Sequence, residues 1–460
     1  MKKRIVSLTL VGVLAASLLA GCGSSSSSSD TTGDTSAAEE TTETSSSSDS
    51  DLDPELVAAV EAIADVGYEG EAVDLTFWGL SSRQDGLEGL TEIFNEANEN
   101  INVTVACYDT DGIKDACKTA AQSSSMPSMW FNWGGSLGQY YVDNGVTYDL
   151  TAYAEENGWS DTFNSGVLSL CTLSDQVCGY PTSYNVLGIY YRTDIFEQYG
   201  LEVPATIEEF EALCDTLLEN GITPISTAGL NGWHVMRLIE QLIEYTAGAD
   251  LHDELQAMTT SWDCDAVVEA LTIYQTYCES GYFPDGFVTA NPDDTYMAFA
   301  MGTCAMDVQG QWYDAALNNN GADVSVVSWF PFPNGTGRVS AFAEMVQFSA
   351  DLTDDELEAA MLYTQFMNSV EATDLYPNDY NLPLPLNDAE MPDAETQPNV
   401  ESLLNYSSEY GTFTITDQAF PSEVADVLFN CQDAIAGGSM TPEEAATQIQ
   451  AAIEDYQAAN

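Results

Sequence analysis

The sequence predicts an α/β protein with two sizeable cores. Its 460 residues are about three times the length of a typical domain, and 45% of them are hydrophobic, so most of the chain has the composition of a folded protein. Apolar runs with the length of buried strands alternate with runs that have the 3.6-residue period of amphipathic helices. This alternation is typical of a parallel sheet covered by helices.

The predicted elements follow one another from residue 73. Residues 73–78 and 101–107 are predicted strands, and residues 87–98 between them form a predicted helix because apolar side chains recur there on one face. Further predicted strands are 129–133, 186–191, 304–308, 324–329 and 345–349, and further predicted helices are 207–218, 232–245 and 267–277.

Three helix starts have a Thr followed by a Glu three residues later, which is the signature of a capping box. Because capping explains these carboxylates, we assign them no catalytic role. The last of the three helices repeats apolar residues at Ala446, Ile449, Ile453 and Tyr456, which predicts a face packed against a domain. The capping pairs are Thr206 with Glu209, Thr353 with Glu356, and Thr441 with Glu444.

The N-terminus has the pattern of an export signal. Three basic residues at 2–4 precede an apolar run at 5–20, which is too short for a conventional membrane span. The run ends in Leu-Ala-Gly-Cys, which resembles the bacterial lipobox and predicts a lipid on Cys22; a signal without lipidation is the alternative. Residues 23–53 are rich in Ser, Thr and acidic residues, which predicts a disordered tether.

The charge balance excludes several classes of partner. There are 74 acidic residues against 9 Lys and Arg, a formal net charge of −65, so nucleic acid and anionic lipid are poor partners. An electrostatic field this negative also disfavours polyanionic ligands, so the remaining candidate ligands are neutral or cationic. Beyond the N-terminus the basic residues are scattered singly, at Arg83, Lys114, Lys118, Arg192, Arg237 and Arg338.

The ten cysteines leave the disulfide pattern open. Without Cys22 nine remain, an odd number, so complete pairing within the chain is impossible. The best local pair is Cys171 with Cys178, which flank a polar turn; the alternative is that all nine thiols are reduced. Weaker candidate pairs are Cys264 with Cys278 and Cys107 with Cys117.

The sequence predicts no metal site. It has no Cys-x-x-Cys, and its two histidines, His234 and His252, lack metal-binding spacing. The segment from Asp109 to Gly112 begins like a calcium loop but lacks the further ligands, so we interpret it as a surface turn.

One segment matches the Gly-x-Ser-x-Gly nucleophile elbow of hydrolases, with Ser136 at its centre. In that fold the base histidine follows the nucleophile and lies close to the C-terminus, whereas here no histidine follows His252. We therefore expect Ser136 to cap the helix that follows, with the glycines allowing a close approach, and we expect no enzymatic activity.

Four tryptophans stand at strand ends and turns: Trp78, Trp133, Trp233 and Trp312. In parallel α/β sheets ligands bind beyond the carboxyl ends of the strands. Sugars present flat C–H faces and a rim of hydroxyls, so their sites combine aromatic platforms with polar side chains. Core packing explains each Trp alone, but together with polar neighbours they favour a sugar site.

At these residues the chain resembles the extracellular solute-binding proteins of bacterial ABC importers, in particular the carbohydrate group related to maltose-binding protein. The similar segments occur in the same order over nearly the whole chain. They are residues 78–86, 130–141, 179–194, 231–233, 306–312 and 343–344.

The resemblance implies ligand-binding residues in these segments, and no catalytic residue or cofactor. Maltose-binding protein has acidic residues at the positions of Asn185 and Asn231, so the resemblance predicts a class of ligand and not one sugar. The implied ligand contacts are Trp78, Arg83, Trp133, Tyr184, Asn185, Asn231, Trp233, Trp312 and Glu344.

The resemblance also implies a two-lobed, type II periplasmic-binding-protein-like fold with a hinge and a ligand cleft between the lobes. The implied N-terminal lobe is 54–182 plus 340–378, and the C-terminal lobe is 183–339 plus 379–460. The resemblance further implies that a mono- or oligosaccharide closes the hinge of a monomeric protein, which a lipid on Cys22 would hold at the outer face of the cytoplasmic membrane. The closed form would deliver the sugar to the ABC permease.

Two alternatives stay open. The negative field would also suit a binding protein for a polyamine, a peptide or a cation, whose affinity would fall with salt. A surface-anchored hydrolase is the less favoured alternative.

Overall fold

The computed structural model describes residues 52–459. The predicted signal at 1–22 and almost all of the predicted tether at 23–53 lie outside these residues. The first elements are α1 (Pro54–Ala64), β1 (Val73–Leu80), α2 (Gln84–Ala97), β2 (Ile101–Tyr108), α3 (Thr110–Ser123), β3 (Met129–Trp133), α4 (Ser136–Asp143), α5 (Thr151–Glu156), α6 (Trp159–Thr162) and α7 (Ser165–Leu170).

The middle of the chain contains the long strand β6 and the long helix α10. Its elements are β4 (Thr172–Leu173), β5 (Gln176–Val177), β6 (Tyr180–Arg192), α8 (Thr193–Tyr199), α9 (Ile207–Glu219), β7 (Thr223–Ser226), α10 (Trp233–Gln256), α11 (Asp265–Ser280), α12 (Thr295–Ala300), β8 (Cys304–Gly310), α13 (Tyr313–Asn319) and β9 (Val327–Phe330).

The last part of the chain is mainly helical, as its sequence predicts. Its elements are β10 (Val339–Phe348), α14 (Asp354–Met367), α15 (Val370–Leu375), α16 (Val400–Tyr410), β11 (Thr412–Thr414), α17 (Thr416–Ala419), α18 (Ser422–Ala436) and α19 (Pro442–Ala459).

Nine strands form one mixed sheet in the order β2-β1-β3-β10-β6-β8-β7, with β11 beside β10 and β9 beside β6. The pairs β1–β2, β1–β3 and β7–β8 are parallel, whereas β10 and β6 pair antiparallel with each other and with their neighbours β3 and β8. Two groups of parallel strands therefore lie at opposite ends of the sheet, one in each lobe.

The two lobes are joined by β6 and β10, which are longer than the sequence pattern predicts. The predicted strands 186–191 and 345–349 cover only parts of them, because the other residues lack the continuous apolar pattern of a buried strand. The β6–β10 ladder shifts register between Glu344 and Met345. Such a bulge re-aims side chains, and here it lies at the base of the cleft described below.

The buried side chains do not divide into two equal cores. One large cluster runs from the helices around β1 to those around β7, and a smaller one surrounds Tyr190, Tyr313 and Leu317. Because β6 and β10 pass from one lobe to the other, the apolar side chains along them connect the interiors of both.

The predicted helix signals are confirmed. Thr353 and Glu356 form a complete capping box at α14, and the Thr206 hydroxyl accepts from the backbone N–H of Glu209 at α9. At α19 the Thr441 hydroxyl accepts from the backbone N–H of Glu444 in the same way. Ala446, Ile449 and Ile453 are buried and Tyr456 is partly buried, as the amphipathic pattern of α19 predicts.

Three local expectations were wrong. Residues 324–326 form a 3₁₀ turn, so β9 begins only at Val327. The predicted turn at Asp109 is the start of α3, since the Asp109 carboxylate caps the helix by accepting from the N–H of Gly112. The predicted helix 232–245 continues to Gln256 through a non-helical Gly248.

The cysteines of the described chain are all free thiols, so of the two alternatives for Cys171 and Cys178 the structure has the reduced one. The Sγ of Cys178 points to the carbonyl oxygen of Cys171, 3.3 Å away, instead of to its sulfur. Burial raises the pKa of Cys178 to about 12, so its thiol is protonated and unreactive. The weaker pairs are also absent: Cys107, Cys117, Cys264 and Cys278 are free.

Within residues 52–459 no helix has the length and apolar character needed to cross a membrane.

Candidate ligand-binding cleft

A cleft of about 410 Å³ is lined by residues of both lobes. One side comes from the carboxyl ends of β1, β2 and β3, where Leu80, Tyr108 and Trp133 lie; the other comes from α10 and the turn after β8. The volume lies within the range of small-molecule sites, about 300–1,000 Å³. The aromatic side chains that line it are Tyr108, Trp133, Trp233, Tyr296, Trp312 and Phe342.

Glu344, in the bulge of β10, holds the base of the cleft together. Its carboxylate accepts hydrogen bonds from Arg83 Nη2 at 2.7 Å, Ser183 Oγ at 2.8 Å and Asn381 Nδ2 at 3.1 Å. Only 4% of Glu344 is exposed, so its charge needs these partners. The base therefore presents polar groups in a fixed arrangement.

The wall from the C-terminal lobe is a stack of rings around one guanidinium. The Cζ of Arg237 lies 4.7 Å from the ring centroid of Trp233 and 5.2 Å from that of Trp312. Arg237 is 7% exposed, and its Nη1 donates to Gln309 Oε1 at 2.9 Å. Trp233 and Arg237 are four residues apart on α10, so helix geometry puts them on one face.

A buried polar network supports this wall from behind. Asp307 accepts from Tyr313 at 3.0 Å and from Gln309 at 3.3 Å, and its second oxygen lies 3.0 Å from His234 Nε2. Burial lowers the pKa of His234, although Asp307 opposes this effect, so the ring is neutral at pH 7. Since Gln309 bonds to both Asp307 and Arg237, the network fixes the guanidinium.

On the wall from the N-terminal lobe, Lys114 is more exposed than Arg237 and makes a longer polar contact. Lys114 Nζ lies 4.8 Å from the ring centroid of Trp133 and 5.6 Å from that of Trp233 on the opposite wall. Its ion pair with Asp111 measures 3.4 Å and is partly exposed. Lys114 thus spans the cleft between two aromatic side chains.

Carboxylates balance the basic groups at the cleft. Burial raises the pKa of Asp417, while nearby Lys114 and Arg237 counteract the shift. Burial also raises the pKa of Asp293, and the neighbouring Asp109 adds to the effect. With cations, carboxylates and amides around aromatic faces, the cleft offers donors and acceptors to a polar ligand.

Residues 89–402, more than half of the chain, match the family of bacterial extracellular solute-binding proteins. The chain belongs to this family. The resemblance identified from the sequence is therefore confirmed.

Named relatives and solved structures agree with this membership. The multiple sugar-binding protein of Streptococcus mutans is 22% identical over 316 residues, which are 66% of this chain and 73% of that protein. A chitin oligosaccharide binding protein is similar in structure, with a TM-score of 0.77 and 22% identity over 85% of this chain and 100% of that one. Maltose-bound MalE3 of T. maritima is also similar in structure, with a TM-score of 0.71 and 18% identity over 84% of this chain and 100% of that one. These likenesses confirm the two-lobed α/β fold.

Five of the nine predicted ligand contacts of this solute-binding protein line the cleft: Arg83, Trp133, Trp233, Trp312 and Glu344. They come from β3, α10, β10 and the turns after β1 and β8, so only the fold brings them together. Their role as ligand contacts stays a prediction.

The other four lie outside the lining of the cleft. Trp78 packs its ring 5.3 Å from that of Tyr108, and the Tyr184 hydroxyl lies 3.0 Å from Thr412 Oγ1. Asn185 is fully buried and donates to Ser183, which in turn holds Glu344. Exposed Asn231 donates from Nδ2 to Asp111 Oδ2 on the other lobe at 2.6 Å. The roles of these four as ligand contacts also stay predictions.

Sequence reasoning missed several groups at the cleft. Arg237 had a usable signal, because it follows Trp233 by one helical turn. Asp417 had none, since it stands in the four-residue helix α17, which the pattern did not predict. The other missed residues include Lys114, Tyr296, Phe342 and Asn381.

The fold also concentrates the scarce basic residues. Arg83, Lys114 and Arg237 line the cleft, although in the sequence they are scattered singly. Lys118 lies one helical turn from Lys114 on α3 and lines the cavity next to the cleft. Most of the basic side chains beyond the N-terminus therefore gather where the ligand is expected.

The expected cap at Ser136 was wrong. Helix α4 begins at Ser136, whose hydroxyl donates instead to the carbonyl oxygen of Asp417 at 2.7 Å. The close approach expected of the glycines is present, because a Cβ on Gly135, at φ +61°, would lie 2.3 Å from the carbonyl oxygen of Gln418. His234 and His252 form buried pairs with Asp307 and Glu244, so neither serves Ser136 as a base.

Proposed function

We propose that the protein is the extracellular substrate-binding component of an ABC sugar importer. It captures a mono- or oligosaccharide between its lobes and delivers it to the permease. The observation that carries this proposal is the cleft of about 410 Å³ in which six aromatic side chains surround Arg83, Glu344 and Arg237. Aromatic faces with a polar rim suit the C–H faces and hydroxyls of a sugar.

Comparisons support the sugar class. The related S. mutans protein is named a multiple sugar-binding protein, and structural neighbours are described with chitin oligosaccharide and maltose. No bond in the ligand is broken in this proposal: Ser136 has no histidine base, and the mechanism is closure of the lobes around the ligand.

We propose lobes of 54–182 plus 340–378 and 183–339 plus 379–460. Strands β6 and β10 carry the chain between the two parallel groups, which supports a hinge along them. Closure needs contacts that exist only when the lobes meet, such as that of Asn231 with Asp111.

The place of action follows from the family, which is extracellular. We propose that a lipid on Cys22, outside the described residues, anchors the protein to the outer face of the membrane, as the lipobox pattern indicates. Mass spectrometry of the protein purified from its host tests this: a diacylglyceryl-modified Cys22 at the mature N-terminus is expected, and an unmodified one contradicts it.

The test of the sugar proposal is intrinsic tryptophan fluorescence of the purified protein with a matching thermal-shift screen. The probes are mono- and oligosaccharides, amino acids, short peptides and polyamines. A saturable, salt-insensitive response to one family of sugars is expected, because a neutral ligand is not screened. A salt-sensitive response to polyamines or peptides alone would show that the ligand is one of these and not a sugar. Release of products from an oligosaccharide would indicate a hydrolase.

A further inference from the structure

A second cavity of about 440 Å³ lies next to the cleft, beside Trp233. We call it the side chamber; Lys114, Leu137, Trp233 and Asp417 line both cavities, so the two are adjacent. The remaining lining comes mainly from α3 and α18, which the resemblance did not include among the ligand segments. Its residues include Asp111, Lys118, Asn231, Ser422, Asp426, Phe429, Asn430 and Asp433.

The side chamber has an aromatic platform whose position depends on a glycine. Phe429 is half-buried beside Gly232, where an added Cβ would lie 2.4 Å from its Cγ. Gly232 also has φ +79°, which side chains rarely adopt, and its carbonyl oxygen accepts from Gln432 at 2.7 Å. The ring therefore has a fixed place at the wall.

Two polar atoms at the side chamber are shielded from solvent and make no hydrogen bond to any described residue. They are the donor Trp233 Nε1 and the acceptor Asp433 Oδ1. A buried polar atom without a partner is costly, so both favour a ligand that supplies the missing partners. A sugar hydroxyl both donates and accepts, which suits the two atoms.

The charges at the side chamber have both signs. Two basic residues, Lys114 and Lys118, line it, and Lys114 pairs with Asp111 on the same helix at 3.4 Å. The acidic residues of the lining are Asp111, Asp115, Asp417, Asp426 and Asp433. Burial raises the pKa of Asp426, and Lys118 counteracts the shift. A lining with both signs and amides offers donors and acceptors to a neutral polar group, and its excess of carboxylates disfavours a phosphate.

We propose that the side chamber binds further sugar units of the same ligand, so that the substrate is an oligosaccharide that extends past Trp233. This inference rests on the proposed function, since it extends the sugar cleft. Trp233 lies at the junction and serves both cavities, while Phe429 and Asp433 act only on the units in the side chamber.

The experiment is calorimetry with glucose, xylose and galactose and their 1,4-linked oligomers of two to six units. For the wild type we expect affinity to rise at least tenfold with length in the sugar series that binds. Phe429→Ala and Asp433→Asn should each remove about tenfold of the affinity for the longest oligomers and leave that for the shortest bound sugar unchanged.

Matched variants separate the side chamber from the cleft and from folding. Trp312→Ala, in the cleft, should weaken all lengths alike, and Glu423→Gln, an exposed carboxylate on the same helix α18 outside the chamber lining, should change none. Thermal unfolding checks that each variant is folded. If Phe429→Ala does not fold, the affinities of Asp433→Asn alone test the inference.

Two results overturn the inference in distinguishable ways. Tight binding of a sugar with no dependence on length, or equal losses at all lengths in Phe429→Ala and Asp433→Asn, leaves the importer proposal intact and refutes the side chamber. Absence of binding to every sugar, in this series and in the wider screen of mono- and oligosaccharides, refutes both.

Discussion

The two walls of the cleft hold their side chains in different ways. On the C-terminal lobe, Arg237 is stacked by Trp233 and Trp312 and fixed from behind by Gln309 and the buried Asp307. On the N-terminal lobe, Lys114 Nζ lies 4.8 Å from the ring centroid of Trp133, and its ion pair with Asp111 is long, at 3.4 Å, and partly exposed.

The difference indicates one wall that is ordered before the ligand arrives and one that adapts to it. A preorganised wall keeps the entropic cost of ordering side chains out of the binding step. A lysine with a flexible stem can move aside or bond to the ligand. Substitutions behind the C-terminal wall should therefore have larger effects than those on the N-terminal wall.

The largest effect is expected for Asp307→Ala. His234, Tyr313 and Gln309 would be left as buried donors without their acceptor, so the free energy of unfolding should fall by about 3–5 kcal/mol. Urea unfolding measures this loss. The control is Asp194→Ala, whose carboxylate is 46% exposed and pairs with Arg192 on the surface, with an expected loss below about 1 kcal/mol. Equal losses in the two variants would mean that the network does not support the wall.

Glu240, on α10 behind the same wall, should make stability depend on pH. Burial raises its pKa from 4.5 to about 8, while its Oε2 accepts from the backbone N–H of Thr416, next to Asp417 in the cleft. The contribution of Glu240 to stability is complete below pH 4.5 and is lost as pH rises towards 8, because Glu240 releases its proton at a lower pH in the unfolded chain than in the folded one. The expected slope is up to about 1.4 kcal/mol per pH unit.

Urea unfolding of the wild type and Glu240→Gln from pH 4 to 9 tests this dependence. The variant should lose the slope between pH 4.5 and 8, whereas Glu254→Gln, an exposed residue on the same helix, should keep it. A slope that persists in Glu240→Gln would assign it to other groups.

Substitution of one tryptophan on each wall compares how much the two walls contribute to ligand affinity. Trp312→Ala and Trp133→Ala should each weaken sugar binding by about 1–3 kcal/mol, the value of one buried aromatic face. Trp312→Ala should lie at the upper end because it also unstacks Arg237. Calorimetry with the sugar found in the screen measures both. Unchanged affinity and unchanged thermal stability in both variants would show that neither tryptophan contacts the ligand.

The smallest effect is expected for Lys114→Met, which keeps the apolar stem and removes the charge. Both affinity and the free energy of unfolding should change by less than about 1 kcal/mol, the usual value of an exposed ion pair or cation–π contact. Calorimetry and urea unfolding check this. A loss of affinity as large as that of Trp312→Ala would show that the N-terminal wall is as specific as the other.

Much of the fold could be predicted because periodicity and caps are local. The strand at 129–133, the helix from Ile207 and the capping box at Thr353 follow from short stretches of sequence. The full lengths of β6 and β10 could not be predicted, since each becomes a strand by pairing with partners distant in the chain. The same holds for the thiols of Cys171 and Cys178, whose directions depend on packing.

The sequence by itself determined the acidic composition, the α/β alternation and the tryptophans at turns, because each depends on residues close together in the chain. Only the tertiary structure decided that Arg83, separated by 261 positions from Glu344, pairs with it at the base of the cleft. It also brought Lys114 between Trp133 and Trp233 and placed the side chamber next to the cleft. The physical reason is that burial and hydrogen bonding between distant segments depend on how the sheet and helices pack, which no local pattern specifies.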